Sequence, residues 1–260
     1  MTGPRHGPHV FVDTRWAQTV ERVRSVLCFG HRGAAGHEPE NTLRSIETAL
    51  RMGCDWIEVD VHMVEDQLVV MHDDRLERTT NGTGLLRERS LDYVRSLDAG
   101  GGQRVPTLAE VFETIDRRAG LDVELKGPGT AAPVVATVEH FVQPQLRVWS
   151  YDQVLITSFD ATRLEQARGL NARVPVGLLT GKFTAAEVDT ALKLGADAIL
   201  PSLASVHGDA VMLAHERGLA VFVYTVNEAV DIERMALKGV DGVISDFPDR
   251  VCGARGERSR

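Results

Sequence analysis

The segment Ile57–Val61 alternates apolar and acidic residues, which places two carboxylates two positions apart. Successive side chains of a β-strand point to opposite faces, so Glu58 and Asp60 would share one face of a strand. Burying two unpaired carboxylates costs several kcal/mol or more per ion, so the pair needs a cation. Lysine or arginine can supply that charge, and paired oxygens at this spacing equally suit Ca²⁺ or Mg²⁺.

A second segment, Val123–Lys126, has the same alternation and ends on a lysine. On a strand, Glu124 and Lys126 would lie on one face. Glu124 would then supply a third oxygen ligand for a metal ion, and Lys126 a positive charge for an anionic substrate. The two segments together predict a site in which acidic and basic groups meet.

Two histidines stand at the ends of predicted strands. His31 is followed by Arg32, whose planar guanidinium fits a phosphate or a carboxylate. His72 ends an apolar run soon after the acidic pair, and a turn near residues 65–66 would return it beside Asp60. Because imidazole gains and loses protons near neutral pH, two histidines that flank carboxylates suit acid–base catalysis.

Other polar residues could support this site. Glu40 could reach back to orient His31, and Asn227 is a second candidate, although a helix N-cap is the simpler interpretation for Asn227 and for Asn41. Five further histidines have no comparable context and are interpreted as structural or exposed: His37, His62, His140, His207 and His215.

The elements that must position these residues alternate between strand and helix along most of the chain. Short β-branched runs that end in polar residues are each followed by a segment of helical periodicity, which is typical of βα units in a parallel sheet. The predicted strands are Val26–His31, Trp56–Val61, Leu121–Leu125, Val154–Ser158, Val174–Leu179, Ala198–Pro201, Ala220–Thr225 and Gly242–Ser245. The predicted helices are Thr42–Met52, Leu108–Ala119, Ala132–Phe141, Ala161–Ala167, Ala185–Leu194, Gly208–Arg217 and Glu228–Leu237.

Strands and helices in this alternation predict an α/β fold, a single (βα)8 TIM barrel in which side chains at the carboxyl ends of the strands meet in one mouth. The run Leu68–His72 follows the second strand too closely for a parallel crossover, so we expect an antiparallel hairpin strand there. The competing fold is a doubly wound open sheet. It would place a GxGxxG motif after the first strand and gather its polar residues at one switch point, and the sequence has neither feature.

The domain boundaries follow from the same pattern. We expect one domain over residues 13–249, with a small turn-rich insertion over residues 75–106 that follows the hairpin and overhangs the mouth. One short helix is predicted inside the insertion, near Leu91–Leu97. Residues 1–12 and 250–260 lack periodicity and are predicted to be flexible tails.

The composition excludes several classes of protein. In 260 residues, 43% are hydrophobic and 25% charged, which is typical of a globular protein and not of a disordered or fibrous one. The apolar stretches are far shorter than the roughly 20 residues of a membrane span, so no membrane insertion is expected. A net charge of −8 disfavours nucleic acid as a partner. Three dispersed cysteines and an N-terminus without a signal-peptide pattern predict a cytoplasmic protein with reduced thiols.

A set of motifs in this order and spacing resembles the glycerophosphodiester phosphodiesterase family. The motifs are His31-Arg32-Gly33, Pro39-Glu40-Asn41-Thr42, Glu58-x-Asp60, His72-Asp73, Glu124-x-Lys126, Thr225-Val226-Asn227 and Asp241-Gly242-x-x-Ser245-Asp246-x-Pro248. Each motif alone is weak, but together they run from about Phe29 to Pro248, nearly the whole chain.

The resemblance implies a hydrolase that cleaves small glycerophosphodiesters into glycerol 3-phosphate and an alcohol, within glycerol and lipid metabolism. The site residues that it implies are His31 and His72 as the acid–base pair, Glu58, Asp60 and Glu124 as ligands of Mg²⁺ or Ca²⁺, and Arg32 and Lys126 as phosphate contacts. His31 would remove a proton from the attacking oxygen and His72 would protonate the departing alcohol, or the two roles would be exchanged.

Other functions compete with this one. A lysophospholipase D-like activity on lipid phosphodiesters would need an apolar surface near the mouth, and the insertion offers mainly leucines and one tyrosine there. A non-catalytic barrel that binds a phosphorylated ligand would be expected to have lost an acid–base residue, yet both histidines are present. A metal-dependent isomerase or aldolase would more often show a Schiff-base lysine, and it leaves the two histidines unexplained.

Overall fold

Eight parallel strands form a closed barrel in the computed structural model, which describes residues 26–143 and 149–257. A ninth strand extends the sheet at one point. The strands are β1 (Leu27–Gly30), β2 (Trp56–Val64), β3 (Gln67–Val70), β4 (Gly120–Leu125), β5 (Val154–Ser158), β6 (Val176–Thr180), β7 (Ala198–Pro201), β8 (Ala220–Val223) and β9 (Gly242–Ser245).

The order of the strands confirms the predicted TIM barrel. Around the ring they run β1-β9-β8-β7-β6-β5-β4-β2, and pairing of β1 with β2 closes the ring. The remaining strand, β3, pairs antiparallel with the last four residues of β2, where that strand continues beyond the barrel. This is the predicted hairpin, and Glu65 occupies its turn with a left-handed φ of 51°.

Helices follow most of the strands and cover the outside of the barrel. They are α1 (Leu43–Arg51), α2 (Leu91–Ser96), α3 (Leu108–Ile115), α4 (Ala131–Phe141), α5 (Ala161–Leu170), α6 (Ala185–Lys193), α7 (Gly208–Glu216), α8 (Ala229–Leu237) and α9 (Pro248–Glu257). Among the described residues, no helix is both long enough and apolar enough to cross a membrane.

Threonine side chains cap three of the helices, whereas neither asparagine that was interpreted as an N-cap is one. Thr107 and Thr184 each accept a backbone N–H and form a capping box at the start of α3 and α6. Asn41 is not a cap: α1 begins after Thr42, whose hydroxyl accepts the N–H of Ser45. Asn227 is not a cap either, because α8 begins at Ala229 and its N-cap position is Glu228.

The end of α3 also differs from the prediction. The helix stops at Ile115 and not at Ala119, because Asp116 and Arg117 both adopt left-handed backbone angles, with φ of 43° and 60°. Gly120 is already the first residue of β4.

The C-terminal segment is more ordered than the sequence suggested. Residues 250–257, predicted as part of a tail, continue α9, which begins at Pro248, a position that proline favours because it lacks an N–H. Val251 of this helix is buried in the core between the sheet and the helices. The predicted N-terminal tail and residues 13–25 lie outside the described residues.

Apolar side chains fill the barrel below its mouth and leave polar ones at the carboxyl ends of the strands. Phe29 of β1 stacks on Trp56 and contacts Phe222 inside the barrel. The insertion packs against the hairpin in a second, small core that includes Leu76 and Leu86 of the insertion and Val64 and Val69 of β2 and β3. The mouth is therefore a polar site on a rigid apolar base, with the insertion packed beside it.

Candidate active site

Three buried carboxylates meet at the mouth on two neighbouring strands. Glu58 and Asp60 project from β2, and Glu124 projects from β4, where it is paired in register with Asp60. One oxygen from each of the three carboxylates lies within 4.8 Å of the others. The alternation that the sequence suggested therefore brings together the three predicted metal ligands.

Burial and mutual repulsion control how these carboxylates ionise. Burial raises the pKa of Glu58 well above its usual range, and the nearby Asp60 carboxylate adds to the effect. Burial and the same neighbour raise the pKa of Glu124 to about 7. Burial alone would raise the pKa of Asp60 too, but the charges of Arg32, His72 and Lys126 lower it. Asp60 is therefore the carboxylate best able to keep its charge.

The donor set fits a divalent cation. Asp60 Oδ1 is fully buried and accepts no hydrogen bond within the described residues, so its lone pairs are available to a cation. The two nearest cationic contacts are Arg32 Nε, 3.3 Å from Asp60 Oδ2, and Lys126 Nζ, 3.0 Å from Glu124 Oε1. If Glu58 and the buried Asp122 were ionised as well, these two cations would leave the four carboxylates with excess negative charge, which agrees with the raised pKa values of Glu58 and Asp122. Carboxylate oxygens in this arrangement are the ligands that Ca²⁺ and Mg²⁺ prefer.

His31 lies at the mouth immediately after β1. Its Nδ1 is 2.6 Å from Asp246 Oδ1, and its Nε2 is 3.9 Å from Glu58 Oε2. Asn227 Nδ2 donates to the second oxygen of Asp246 at 2.7 Å. Burial opposes ionisation of Asp246, but the hydrogen bond from His31 lowers its pKa below the usual range. Asp246 thus holds the imidazole by one nitrogen and leaves the other beside the carboxylates.

His72 has the same arrangement on the other side of the mouth. Its Nδ1 is 2.6 Å from Asp73 Oδ1, and its Nε2 is 3.1 Å from Lys126 Nζ. Burial lowers the pKa of His72, and the Asp60 charge opposes that shift. His62 also contacts this segment, with Nε2 3.1 Å from the His72 carbonyl oxygen. Both predicted acid–base histidines are therefore held by a carboxylate at Nδ1.

Arg32 follows His31 at the mouth and contacts three acidic residues. Its backbone has a left-handed φ of 50°, and its N–H donates to Glu58 Oε2 at 2.9 Å. Its guanidinium donates to Glu40 Oε1 at 2.7 Å and lies beside Asp60. The expectation that Glu40 orients His31 was wrong, because the carboxylate of Glu40 is used by Arg32.

Several residues at the mouth were missed by the sequence interpretation. Asp122 is fully buried next to Glu58, and its alternation with Glu124 along β4 could have revealed it. Burial raises its pKa well above the usual range. Asn41 Nδ2 donates to Asp60 Oδ2 at 2.9 Å. Asp246 belongs to one of the sequence motifs, but the motif alone did not indicate its contact with His31. The contacts of Asn41 and Asp246 join distant loops, which a local pattern does not reveal.

A cavity of about 200 Å³ opens among these groups, and its lining includes both histidines, Arg32, Lys126 and Tyr224. A more open hollow of about 530 Å³ adjoins it, and the two share Lys126 and Phe159. The ring of Phe159 contacts Tyr224 edge to face and is 51% exposed. Space for a small ligand thus exists where the charged groups converge.

Comparison with known proteins agrees with this geometry. The model of the Glycerophosphoryl diester phosphodiesterase family matches residues 31–250. A glycerophosphodiester phosphodiesterase of Bacillus subtilis strain 168 is 34% identical over 247 residues, covering 86% of this chain and 84% of the relative. A glycerophosphodiester phosphodiesterase of Caldanaerobacter subterraneus subsp. tengcongensis is 32% identical, and the match covers 86% of this chain and 96% of the relative. The solved structure of an Oleispira antarctica phosphodiesterase, in complex with the product sn-glycerol-3-phosphate, has a TM-score of 0.81 at 29% identity. The match covers 88% of this chain and 96% of the Oleispira chain.

Proposed function

This chain belongs to the glycerophosphoryl diester phosphodiesterase family and is therefore an enzyme, and we propose that it cleaves small glycerophosphodiesters into glycerol 3-phosphate and an alcohol with a divalent cation. The observation that carries the proposal is one mouth that contains three buried carboxylates and two histidines, each held at Nδ1 by a carboxylate. The Oleispira relative that binds sn-glycerol-3-phosphate supports the class of substrate.

The cation would be held by Glu58, Asp60 and Glu124. When bound, Mg²⁺ or Ca²⁺ would supply Lewis-acid stabilisation of the negative charge on the phosphoryl oxygens. The carboxylates are fixed on adjacent barrel strands, so the site needs little rearrangement to accept an ion. Glu124 now contacts Lys126 at 3.0 Å, and neutralisation of that carboxylate would free the ammonium group.

Arg32 and Lys126 would bind the phosphate. A phosphodiester carries one negative charge, and its transition state gathers more charge on the non-bridging oxygens. Arg32 presents a planar fork with several N–H donors, whereas Lys126 presents a compact charge. Both groups lie on the lining of the same cavity and would hold the phosphorus between the two histidines.

His31 and His72 would move the protons. With Nδ1 held by Asp246, His31 can accept a proton from the attacking oxygen at Nε2. With Nδ1 held by Asp73, His72 can carry a proton at Nε2 to the departing alcohol once Lys126 has turned to the phosphate. The attacker is water or the neighbouring glycerol hydroxyl. The latter gives a cyclic phosphate, and its opening would exchange the roles of the histidines.

The main test measures release of glycerol 3-phosphate from glycerophosphocholine with and without a chelator. We expect chelation and Glu58→Gln to abolish activity, and we expect His31→Ala and His72→Ala each to lower kcat by about 10²–10⁴-fold. His215→Ala is the matched control, because His215 also pairs with an aspartate, Asp241, at 2.8 Å, and it belongs to α7 on the outside of the barrel. Full activity in chelator would contradict the metal role, and no release from any glycerophosphodiester would contradict the reaction.

A second arm of the same experiment assigns the histidine roles. A p-nitrophenyl ester of glycerol phosphate has a leaving group that departs without protonation. We therefore expect His72→Ala to recover most of its activity on this ester, whereas His31→Ala stays inactive on both substrates. Recovery by His31→Ala alone would mean that the roles are exchanged.

A further inference from the structure

Arg78 of the insertion bridges two carboxylates, each of which also contacts a residue of the mouth. Its guanidinium donates to both oxygens of Glu40, at 2.7 and 2.8 Å. It also donates to both oxygens of Asp73, at 2.5 and 2.9 Å. One side chain therefore makes four charge-assisted hydrogen bonds to two acidic residues that lie 33 positions apart in the chain, at 40 and 73.

Each of these carboxylates is also bonded to a group that faces the cavity. Glu40 Oε1 accepts from Arg32 Nη1 at 2.7 Å, and Asp73 Oδ1 contacts His72 Nδ1 at 2.6 Å. These hydrogen bonds form a continuous network that runs from Arg32 through Glu40, Arg78 and Asp73 to His72. Both terminal residues of this network, Arg32 and His72, line the same cavity.

We propose that Arg78 is a positioning residue that fixes the separation of Arg32 and His72, so that the phosphate-binding group and the proton-transferring imidazole face one phosphorus together. The proposal rests on the proposed function. Arg78 acts through Glu40 and Asp73 and does not line the cavity. Guanidinium suits this role because its rigid fork can bind two carboxylates at once, which the single ammonium of lysine cannot do in the same geometry.

Stability and catalysis should respond differently to loss of this group. The Arg78 side chain is 46% exposed, and ion pairs at exposed positions contribute little to folding. Errors of about 1 Å in the placement of reacting groups can instead cost roughly 10²-fold in rate. A purely structural role would lower the thermal midpoint of unfolding and the activity together, whereas a positioning role lowers kcat at an unchanged midpoint.

The experiment compares Arg78→Gln with Arg75→Gln on glycerophosphocholine. Arg75 is the matched control because it lies in the same insertion, is similarly exposed and pairs only with Glu77 among the described ion pairs. We expect Arg78→Gln to lower kcat by about 10–100-fold at an unchanged unfolding midpoint. Arg75→Gln should remain at the wild-type rate. The kcat of Arg78→Lys should be closer to that of Arg78→Gln than to that of wild type.

Rescue and epistasis complete the test. Guanidinium ion at concentrations below those that unfold the protein should raise the rate of Arg78→Gln and not that of wild type. In an Asp73→Asn background, the further change Arg78→Gln should lower kcat by a smaller factor than Arg78→Gln does in the wild-type background. Wild-type kcat in Arg78→Gln would overturn the inference, as would a loss of rate that follows only a lowered unfolding midpoint. An inactive wild-type enzyme would instead contradict the proposed function.

Discussion

Asp246 determines which nitrogen of His31 carries the proton. A carboxylate at Nδ1 accepts the N–H there and leaves a lone pair on Nε2, which a base needs. In Asp246→Asn the amide can donate to Nδ1 and move the imidazole proton to Nε2. We expect kcat to fall by about 10²–10⁴-fold, with a smaller change in KM, measured on glycerophosphocholine.

The control for this change is Asp241→Asn, which alters a similar aspartate–histidine pair away from the mouth. Asp241 also accepts the N–H of Val221, so this variant can lose stability, but it should keep the wild-type kcat. Equal losses of kcat in the two variants would contradict a specific effect of Asp246 on His31.

At the scale of elements, the join between the insertion and the barrel rests on Glu110 at the start of α3. Its carboxylate closes the capping box with Thr107 and also accepts two hydrogen bonds from Arg95 of α2, at 2.6 and 2.7 Å. We expect Glu110→Ala to lower the free energy of unfolding by about 1 kcal/mol or more at pH 7, measured with urea. Glu113→Ala, at an exposed position of the same helix, is the control and should have little effect.

The contribution of Glu110 should depend on pH in a defined direction. Burial raises its pKa, but the hydrogen bonds from Arg95 and Thr107 outweigh that effect and lower the pKa below its usual range. A carboxyl whose pKa is lower in the folded state stabilises the fold above its unfolded pKa, and that stability is lost as the pH falls. The difference in the free energy of unfolding between wild type and Glu110→Ala should therefore become smaller as the pH falls below about 4.5, near the ordinary pKa of a glutamate. A difference that stays constant down to pH 3 would contradict this account.

The elements that the sequence predicted well are those with a repeating local pattern. Strand β4 and the pairs of polar residues on β2 and β4 follow from alternation of side chains, and the start of α3 follows from its capping box. The contacts of His31 with Asp246 and of Arg78 with Glu40 join residues 215 and 38 positions apart. Such contacts depend on how loops fold over the mouth, so no local periodicity encodes them.

At the scale of the whole molecule, the acidic mouth should make stability depend on the cation. Without an ion, Glu58, Asp60 and Glu124 repel one another in a buried site, and a ligand that binds only the folded state stabilises it by mass action. At about 100 times its dissociation constant, an ion adds about 2.7 kcal/mol, which is roughly 5–10 °C for a chain of this size. We expect Ca²⁺ or Mg²⁺ to raise the thermal midpoint by that amount.

Variants at and away from the mouth distinguish this effect from general salt stabilisation. The thermal midpoint of Glu58→Gln should respond only weakly to the ion, because one of the three carboxylate ligands is replaced by an amide. Glu113→Gln on the outer helix α3 should respond like wild type. A similar rise in all three proteins would show that the ion acts on the surface and not at the mouth.

The closure of the ring has a consequence for how the enzyme is made. Strand β1 pairs with β9, and His31 directly after β1 meets Asp246 directly after β9. Synthesis proceeds from the N-terminus, so the nascent polypeptide exposes His31 long before Asp246, which orients it, has left the ribosome. Such a contact raises the contact order of the fold and slows folding. Catalytic competence should therefore arise abruptly, after translation of the final strand, and not in proportion to the length already synthesised.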